Sequence, residues 1–187
     1  MLVGKKVILR TLRQTDLDLL YDLAADVRDL GDYYPLSLAS DIRWHNQFSE
    51  TGWWEADRGG LLITNHAGAI VGQIGFFQTA SYLSTYEIAY RLYGRAHWGQ
   101  GYMSEAAQLL VAYLFDVKPV NRLQATIFPD NAASRRVLEK CGFRYEGTMR
   151  QVVFHQGQTR DLEMHSVVRG EHTPLQELLA PGDFRVG

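Results

Sequence analysis

The spacing of apolar side chains divides the chain into strands and helices. Residues 6–11 alternate Val7, Leu9 and Thr11 against Ile8 and Arg10, which predicts a first strand. Thr15 follows as an N-cap with Asp16 and Asp18 in the first helical turn; Leu17, Leu20, Tyr21, Ala24 and Val27 repeat at helical spacing, and Gly31 stops the helix. Residues 61–64 and 70–79 read as strands joined by a hairpin turn containing Gly68. A strand at 84–92 leads into a helix at 101–115, where Met103, Ala106, Ala107, Leu110, Leu114 and Phe115 fall near helical spacing. The pattern continues with a strand at 121–128, a short helix at 131–141 ended by Gly142, and strands at 143–153 and 159–169. Residues 32–60 and the tail from Pro174 carry no clear period. With no repeat or linker, the order predicts one α/β domain over residues 1–187.

Composition narrows the class. A hydrophobic fraction of 46% and a charged fraction of 21% are those of a globular protein. A net charge of −2 argues against a general nucleic-acid binder. Cys141 is the only cysteine and the six histidines show no metal-ligand spacing, so neither an intramolecular disulfide nor a metal site is expected. No apolar run reaches the length of a membrane span, and Met1-Leu2-Val3-Gly4-Lys5-Lys6 lacks the apolar core of a signal peptide, so the cytoplasm is the expected compartment. Asp18, Asp22, Asp26 and Asp29 share one face of the first helix, as a solvated surface or as a negative rim for a cationic amine.

Two stretches carry chemistry. Gly99 and Gly101 sit where a strand and short loop open a long apolar helix, and helix N-termini expose N–H groups at the positive end of the macrodipole. Such a junction binds phosphate well, although Gly-x-Gly by itself reads as a tight turn with glycines chosen for φ alone. Gly94, Gly99 and Gly101 do not make the Gly-x-Gly-x-x-Gly of a dinucleotide oxidoreductase. About thirty residues later Asn131 and Ser134 stand at i and i+3 on one helix face, where Asn131 is also a plain N-cap.

Gly99-Gln100-Gly101-Tyr102-Met103-Ser104-Glu105-Ala106 followed by Asn131-Ala132-Ala133-Ser134-Arg135-Arg136-Val137-Leu138-Glu139-Lys140-Cys141-Gly142-Phe143 resembles the GCN5-related N-acetyltransferases, in the branch of the ribosomal-protein alanine and spermidine acetyltransferases. The likeness extends more weakly over residues 5–169. It implies a mixed, largely antiparallel central sheet flanked by helices, acetyl-CoA as cofactor, and direct transfer of the acetyl group to a primary amine. The acceptor would be a protein N-terminus, a polyamine or a small amino compound, and the protein a monomer or homodimer. A non-catalytic acyl-CoA-binding module, or a transferase using another acyl-CoA, is the alternative.

The resemblance also assigns expected roles. Tyr90, Arg91 and Leu92 would flank the pantetheine arm, while Arg95, Trp98, Gly99, Gln100, Gly101, Tyr102 and Met103 would surround the pyrophosphate. Asn131 would contact the arm, and Ser134 would protonate the leaving thiolate, with Tyr145 as its substitute. Glu87, in Tyr86-Glu87-Ile88-Ala89-Tyr90, matches a Glu-Ile-Gly-Tyr strand and would deprotonate the amine; a solvent-facing strand carboxylate is the equal alternative, and His155 another possible base. Some relatives place a glutamate base where Val153 aligns, and Ala96 replaces an Arg or Gln before the loop. Tyr33, Tyr34, Trp44, Trp53 and Trp54 are expected to form one wall of the acceptor pocket, although any single tryptophan taken alone reads as core.

Overall fold

The computed structural model describes residues 1–26, 31–34, 38 and 40–181. Among the described residues eight strands form one sheet: β1 (Leu2–Val3), β2 (Val7–Arg10), β3 (Arg58–Asn65), β4 (Ile70–Gln78), β5 (Thr85–Leu92), β6 (Arg122–Ile127), β7 (Arg144–His155) and β8 (Gln158–Val168). Their order across the sheet is β1-β2-β3-β4-β5-β6-β8-β7, and every pairing is antiparallel except β5 with β6. The helices are α1 (Leu17–Ala25), α2 (Asp41–Thr51), α3 (Tyr102–Val117), α4 (Ala132–Lys140) and α5 (Leu175–Leu178).

Strand alternation divides the apolar residues between the two faces. On β3, Leu61 and Ile63 join the main core with α3, while Leu62 joins a smaller cluster with Leu17 and Leu20 of α1. Fully buried Leu109, Leu110, Leu114 and Phe115 of α3 fill the larger core. Burying each such side chain contributes about 1.5–3 kcal/mol, so α3 is the main support of its face. The last described turn, α5, packs on the same core, and Ala180 N–H donates to Val3 C=O (2.8 Å).

Two elements differ from the sequence expectation. Thr15 lies inside a 3₁₀ turn (Gln14–Asp16) rather than capping α1. Asp16 organises the entry instead: its carboxylate takes both Arg10 Nη1 (2.7 Å) and Nη2 (2.8 Å) and the Arg13 N–H (2.8 Å). The α2 helix, absent from the expectation, runs from a Ser40 cap to Gly52 in the left-handed region (φ 60°). Val27 and Asp29 lie outside the described residues, and Asp18 on the acidic face is 3.1 Å from His45 Nε2 of α2. Among the described residues no helix is long and apolar enough to cross a membrane.

Candidate active site

The parallel pair β5/β6 is held together at one end only. Thr85, Tyr86 and Glu87 pair with Arg122, Leu123 and Gln124, after which β5 continues to Leu92 and β6 to Ile127 without pairing to each other. The strands part into a wedge in the middle of the sheet, which exposes backbone N–H and C=O groups on both inner edges.

Different side chains line the two faces of this wedge. Ile88, Tyr90 and Leu92 turn towards the α3 core, so Glu87, Ala89 and Arg91 face the α1 side. At the closed end, Glu87 Oε1 accepts from Thr126 Oγ1 (2.7 Å) and Oε2 accepts from Gln124 Nε2 (3.1 Å). Ala89 is exposed in mid-strand, so between Glu87 and Arg91 only a small side chain stands above the splay on this face. Tyr33 and Tyr34 rim the open end of the wedge. The Tyr34 ring lies 4.4 Å from the Arg91 guanidinium, Tyr33 Oη donates to Asp130 C=O (3.1 Å), and its ring lies 5.7 Å from Phe128. Segment 32–34 thus touches the open ends of both strands.

On the other face Tyr90 Oη reaches the Ser134 carbonyl at 3.5 Å, and burial raises the tyrosine pKa above its usual value. Ser134 occupies the first turn of α4, and Asn131 Oδ1 accepts its N–H (3.0 Å). Asn131 is therefore an N-cap, which stabilises a helix by about 1 kcal/mol, with its Nδ2 hydrogens left to reach a ligand.

The loop before α3 has the features expected of an anion cradle. Gly99 (φ 71°) and Gly101 (φ 82°) are left-handed, so conformation alone demands glycine at both. Gly101 begins α3 without a side-chain cap, leaving first-turn N–H groups for an anion. Gln100 Nε2 closes the loop onto Ala96 C=O (2.6 Å), and the Arg95 guanidinium lies 5.7 Å from the ring of Trp98, which is 53% exposed. Tyr102 lies against His97, while the Met103 side chain belongs to the core and offers only backbone. Lys6, from β1–β2, places Nζ 3.0 Å from Gln100 C=O.

Several expected roles move. The Arg91 side chain is 8% exposed, donates to Leu23 C=O (3.1 Å) and lies between Tyr34 and Tyr93, away from the glycine loop. It offers backbone, not charge, to the cofactor region. The five aromatics do not form one wall. Trp44 and Trp53 meet edge to face at 4.3 Å and pack on the α1 cluster, whereas Trp54 packs against Phe76 (5.5 Å) in the α3 core. Trp53 has φ 55°, and the turn there sends adjacent tryptophans into opposite clusters. His155 is not a solvated turn residue: it is 6% exposed, with Nε2 2.7 Å from Asp32 C=O and its ring 4.8 Å from Phe128. Tyr145 lies on the outermost strand with its hydroxyl on Thr148 (2.8 Å), so Tyr90 is the tyrosine beside Ser134. Burial pushes the Cys141 thiol up to about 12, which leaves it a protonated core residue.

Gln124, Thr126 and Lys6 are absent from the sequence expectation. Polar residues alternating inside Leu123-Gln124-Ala125-Thr126-Ile127 were the available signal for the first two. Lys6 meets its loop only through the fold.

A mixed sheet splayed at its one parallel pair, beside a glycine-bearing helix start, defines the class of acyl-transferring α/β proteins that the resemblance predicts. The family model described as Acetyltransferase (GNAT) domain matches residues 6–144. A Bacillus subtilis protein named Probable N-acetyltransferase YjcK is 30% identical over 176 residues, covering 90% of this chain and 97% of that one. Spermidine N-acetyltransferase from Vibrio cholerae, solved in complex with CoA and spermine, superposes with a TM-score of 0.77 at 16% identity, covering 88% of this chain and 96% of that one. RimL, a ribosomal L7/L12 alpha-N-protein acetyltransferase in complex with coenzyme A, gives a TM-score of 0.77 at 21% identity, covering 89% and 96%. The chain belongs to the GNAT acetyltransferase family and is an N-acetyltransferase.

Proposed function

We propose that this protein moves the acetyl group of acetyl-CoA to the primary amine of a protein N-terminus, a polyamine or a small amino compound. The observation that carries this reading is the two-faced opening between β5 and β6. Glu87 and the tyrosine rim lie on one face, Tyr90 and the Ser134 helix on the other, and the wedge connects them. An amine can therefore reach the thioester carbonyl from one face of the sheet while the thiol-bearing arm is held from the other, which brings both reactants together for direct transfer.

The chain's residues fit the cofactor. First-turn N–H groups of α3 suit a pyrophosphate, the open edges of β5 and Asn131 suit an amide-bearing arm, and exposed Trp98 offers a face to an aromatic base. Acetyl-CoA supplies an activated acetyl group as a thioester. Glu87 takes the acceptor's proton, directly or through water, and Ser134 Oγ holds the proton for the departing sulfur. Tyr33 and Tyr34 offer ring faces to a cation at the mouth of the wedge.

The test is acetyl-CoA-dependent thiol release with a panel of amines: N-terminal peptides, spermidine and an aminoglycoside. One class should react well above the hydrolysis background. Tight CoA binding with no release from any amine would favour the binding-module alternative, and release only with longer thioesters would favour another acyl donor.

A further inference from the structure

We infer that Lys6 provides the cation that, with the N–H groups opening α3, binds the pyrophosphate of the acyl-CoA; the inference rests on the acetyl-CoA reading above. The placement begins with Glu105. Its carboxylate accepts three backbone N–H groups, those of Lys5 (2.9 Å), Lys6 (2.7 Å) and Val7 (2.9 Å), and so fastens the start of β2 to the first turn of α3. Thus anchored, the Lys6 side chain reaches the glycine loop, where Nζ meets Gln100 C=O at 3.0 Å and lies 3.1 Å from the position a Cβ on Gly101 would take.

That position is electrostatically unusual. A helix N-terminus is the positive end of a dipole and favours anions, yet here an ammonium is brought beside it. Glu105 offsets part of that charge, but both its oxygens already serve backbone N–H groups. An ammonium has three hydrogens, and Gln100 takes one, so two remain for a ligand. A phosphate at the loop would satisfy the helix N-terminus and Lys6 together, and would remove the repulsion between them. The other basic side chains of this region are placed differently: Arg91 is enclosed by Tyr34 and Tyr93, and Arg95 lies over Trp98. Lys6 is therefore the cation built onto the loop itself. It comes from a different part of the chain, 94 residues before its partner, so occupancy of the loop should tie the first strands to α3.

The experiment is calorimetric titration of CoA and of 3′-dephospho-CoA, which share the pyrophosphate, into the wild-type protein, Lys6→Met and Lys6→Arg. Lys6→Met keeps the apolar stem and should melt like the wild type. Its Kd should rise about tenfold for both ligands at low salt, near the lower end for a hydrogen bond to a charged group, and Lys6→Arg should recover most of that loss. The salt dependence of binding should also become shallower in Lys6→Met. A loss confined to CoA would overturn the pyrophosphate assignment in favour of the 3′-phosphate, and unchanged affinity for both would overturn the role of Lys6. If the wild type itself binds neither ligand, the acetyl-CoA reading fails first and this inference with it.

Discussion

Thr126 Oγ1 lies 2.7 Å from Glu87 Oε1 across the wedge, one alternation beyond the last β5/β6 pair, Glu87 with Gln124. Gln124 Nε2 holds the other carboxylate oxygen at 3.1 Å. Its own Oε1 accepts from Arg122 Nη2 (3.4 Å), and Arg122 in turn pairs with Glu146 (2.9 Å). The Gln124 amide is thereby oriented with its donors towards Glu87. Each carboxylate oxygen keeps a second lone pair, which can accept a proton from an amine or a water above Ala89.

If Glu87 is the base, Glu87→Gln should lower kcat/KM by about a hundredfold or more, the usual contribution of a positioned proton acceptor. The acidic limb of the pH profile should disappear with it. Thr126→Val should lower kcat by a smaller factor and leave acetyl-CoA affinity unchanged, because it frees the carboxylate without removing it. An intact acidic limb in Glu87→Gln would mean that the amine arrives already neutral.

On the opposite face, Ser134→Ala should lower kcat by about a hundredfold while CoA affinity stays close to wild type. Tyr90→Phe is the informative companion, because burial keeps its phenol protonated at assay pH and its oxygen is 3.5 Å from the Ser134 carbonyl. It should cost less than Ser134→Ala. The reverse order, read in single-turnover kinetics, would transfer the proton-donor role to Tyr90.

Local signals account for what the sequence made legible. Gly101 and Gly142 end or begin helices through left-handed φ (82° and 85°), and the apolar runs at 61–64 and 70–79 flank a turn with Gly68 at φ 84°, so these elements appear where expected. The α2 helix lies in the stretch without a clear period, although Ser40, Trp44, Phe48 and Gly52 form a cap, an i, i+4 apolar pair and a stop; the aromatics of 32–60 suit a pocket as well as a helix face. Which face each tryptophan enters depends on the positive φ of Trp53, a conformation that a bulky residue seldom adopts and that periodicity cannot reveal. The destination of Arg91 was hidden for a related reason: its partners Leu23, Tyr34 and Tyr93 come together only when α1 and segment 31–34 dock on β5.

Cys141 should take no covalent part. Its thiol, pushed up to about 12 by burial, stays protonated through the neutral range and becomes thiolate only as pH approaches that value. Iodoacetamide at pH 8 should therefore label the folded protein far more slowly than the unfolded chain, and Cys141→Ala should keep near-normal turnover with about 1 kcal/mol lost in stability. Rapid labelling accompanied by loss of activity would point instead to a covalent route through Cys141.

The acceptor region should separate from the aromatic core under substitution. Tyr33 and Tyr34 touch Phe128, Asp130 and Arg91 at the open ends of β5 and β6, whereas Trp44, Trp53 and Trp54 pack with Phe48, Tyr21, Phe76 and Tyr113. Replacing any of the three tryptophans with leucine removes a large part of a packed ring. Each should lower stability by about 2–3 kcal/mol, within the range for large-to-small core changes, and Tm by roughly 2–4 °C per kcal/mol in a chain of this length. Acceptor KM should hardly change in these variants. Tyr34→Leu removes the ring above Arg91 at the rim of the wedge, so it should raise the acceptor KM or change which amines react. Acetyl-CoA affinity should hold, because the glycine loop lies at the start of α3 on the opposite side of the sheet. Tyr33→Phe isolates the hydroxyl that donates to Asp130 C=O, and should give a weaker change of the same kind if that bond holds segment 32–34 over the wedge. The comparison needs only melting curves and acceptor saturation curves on the same five proteins. Should the tryptophan variants alter acceptor KM while both tyrosine variants leave it unchanged, the acceptor would have to be placed over α2 rather than at the mouth of the wedge.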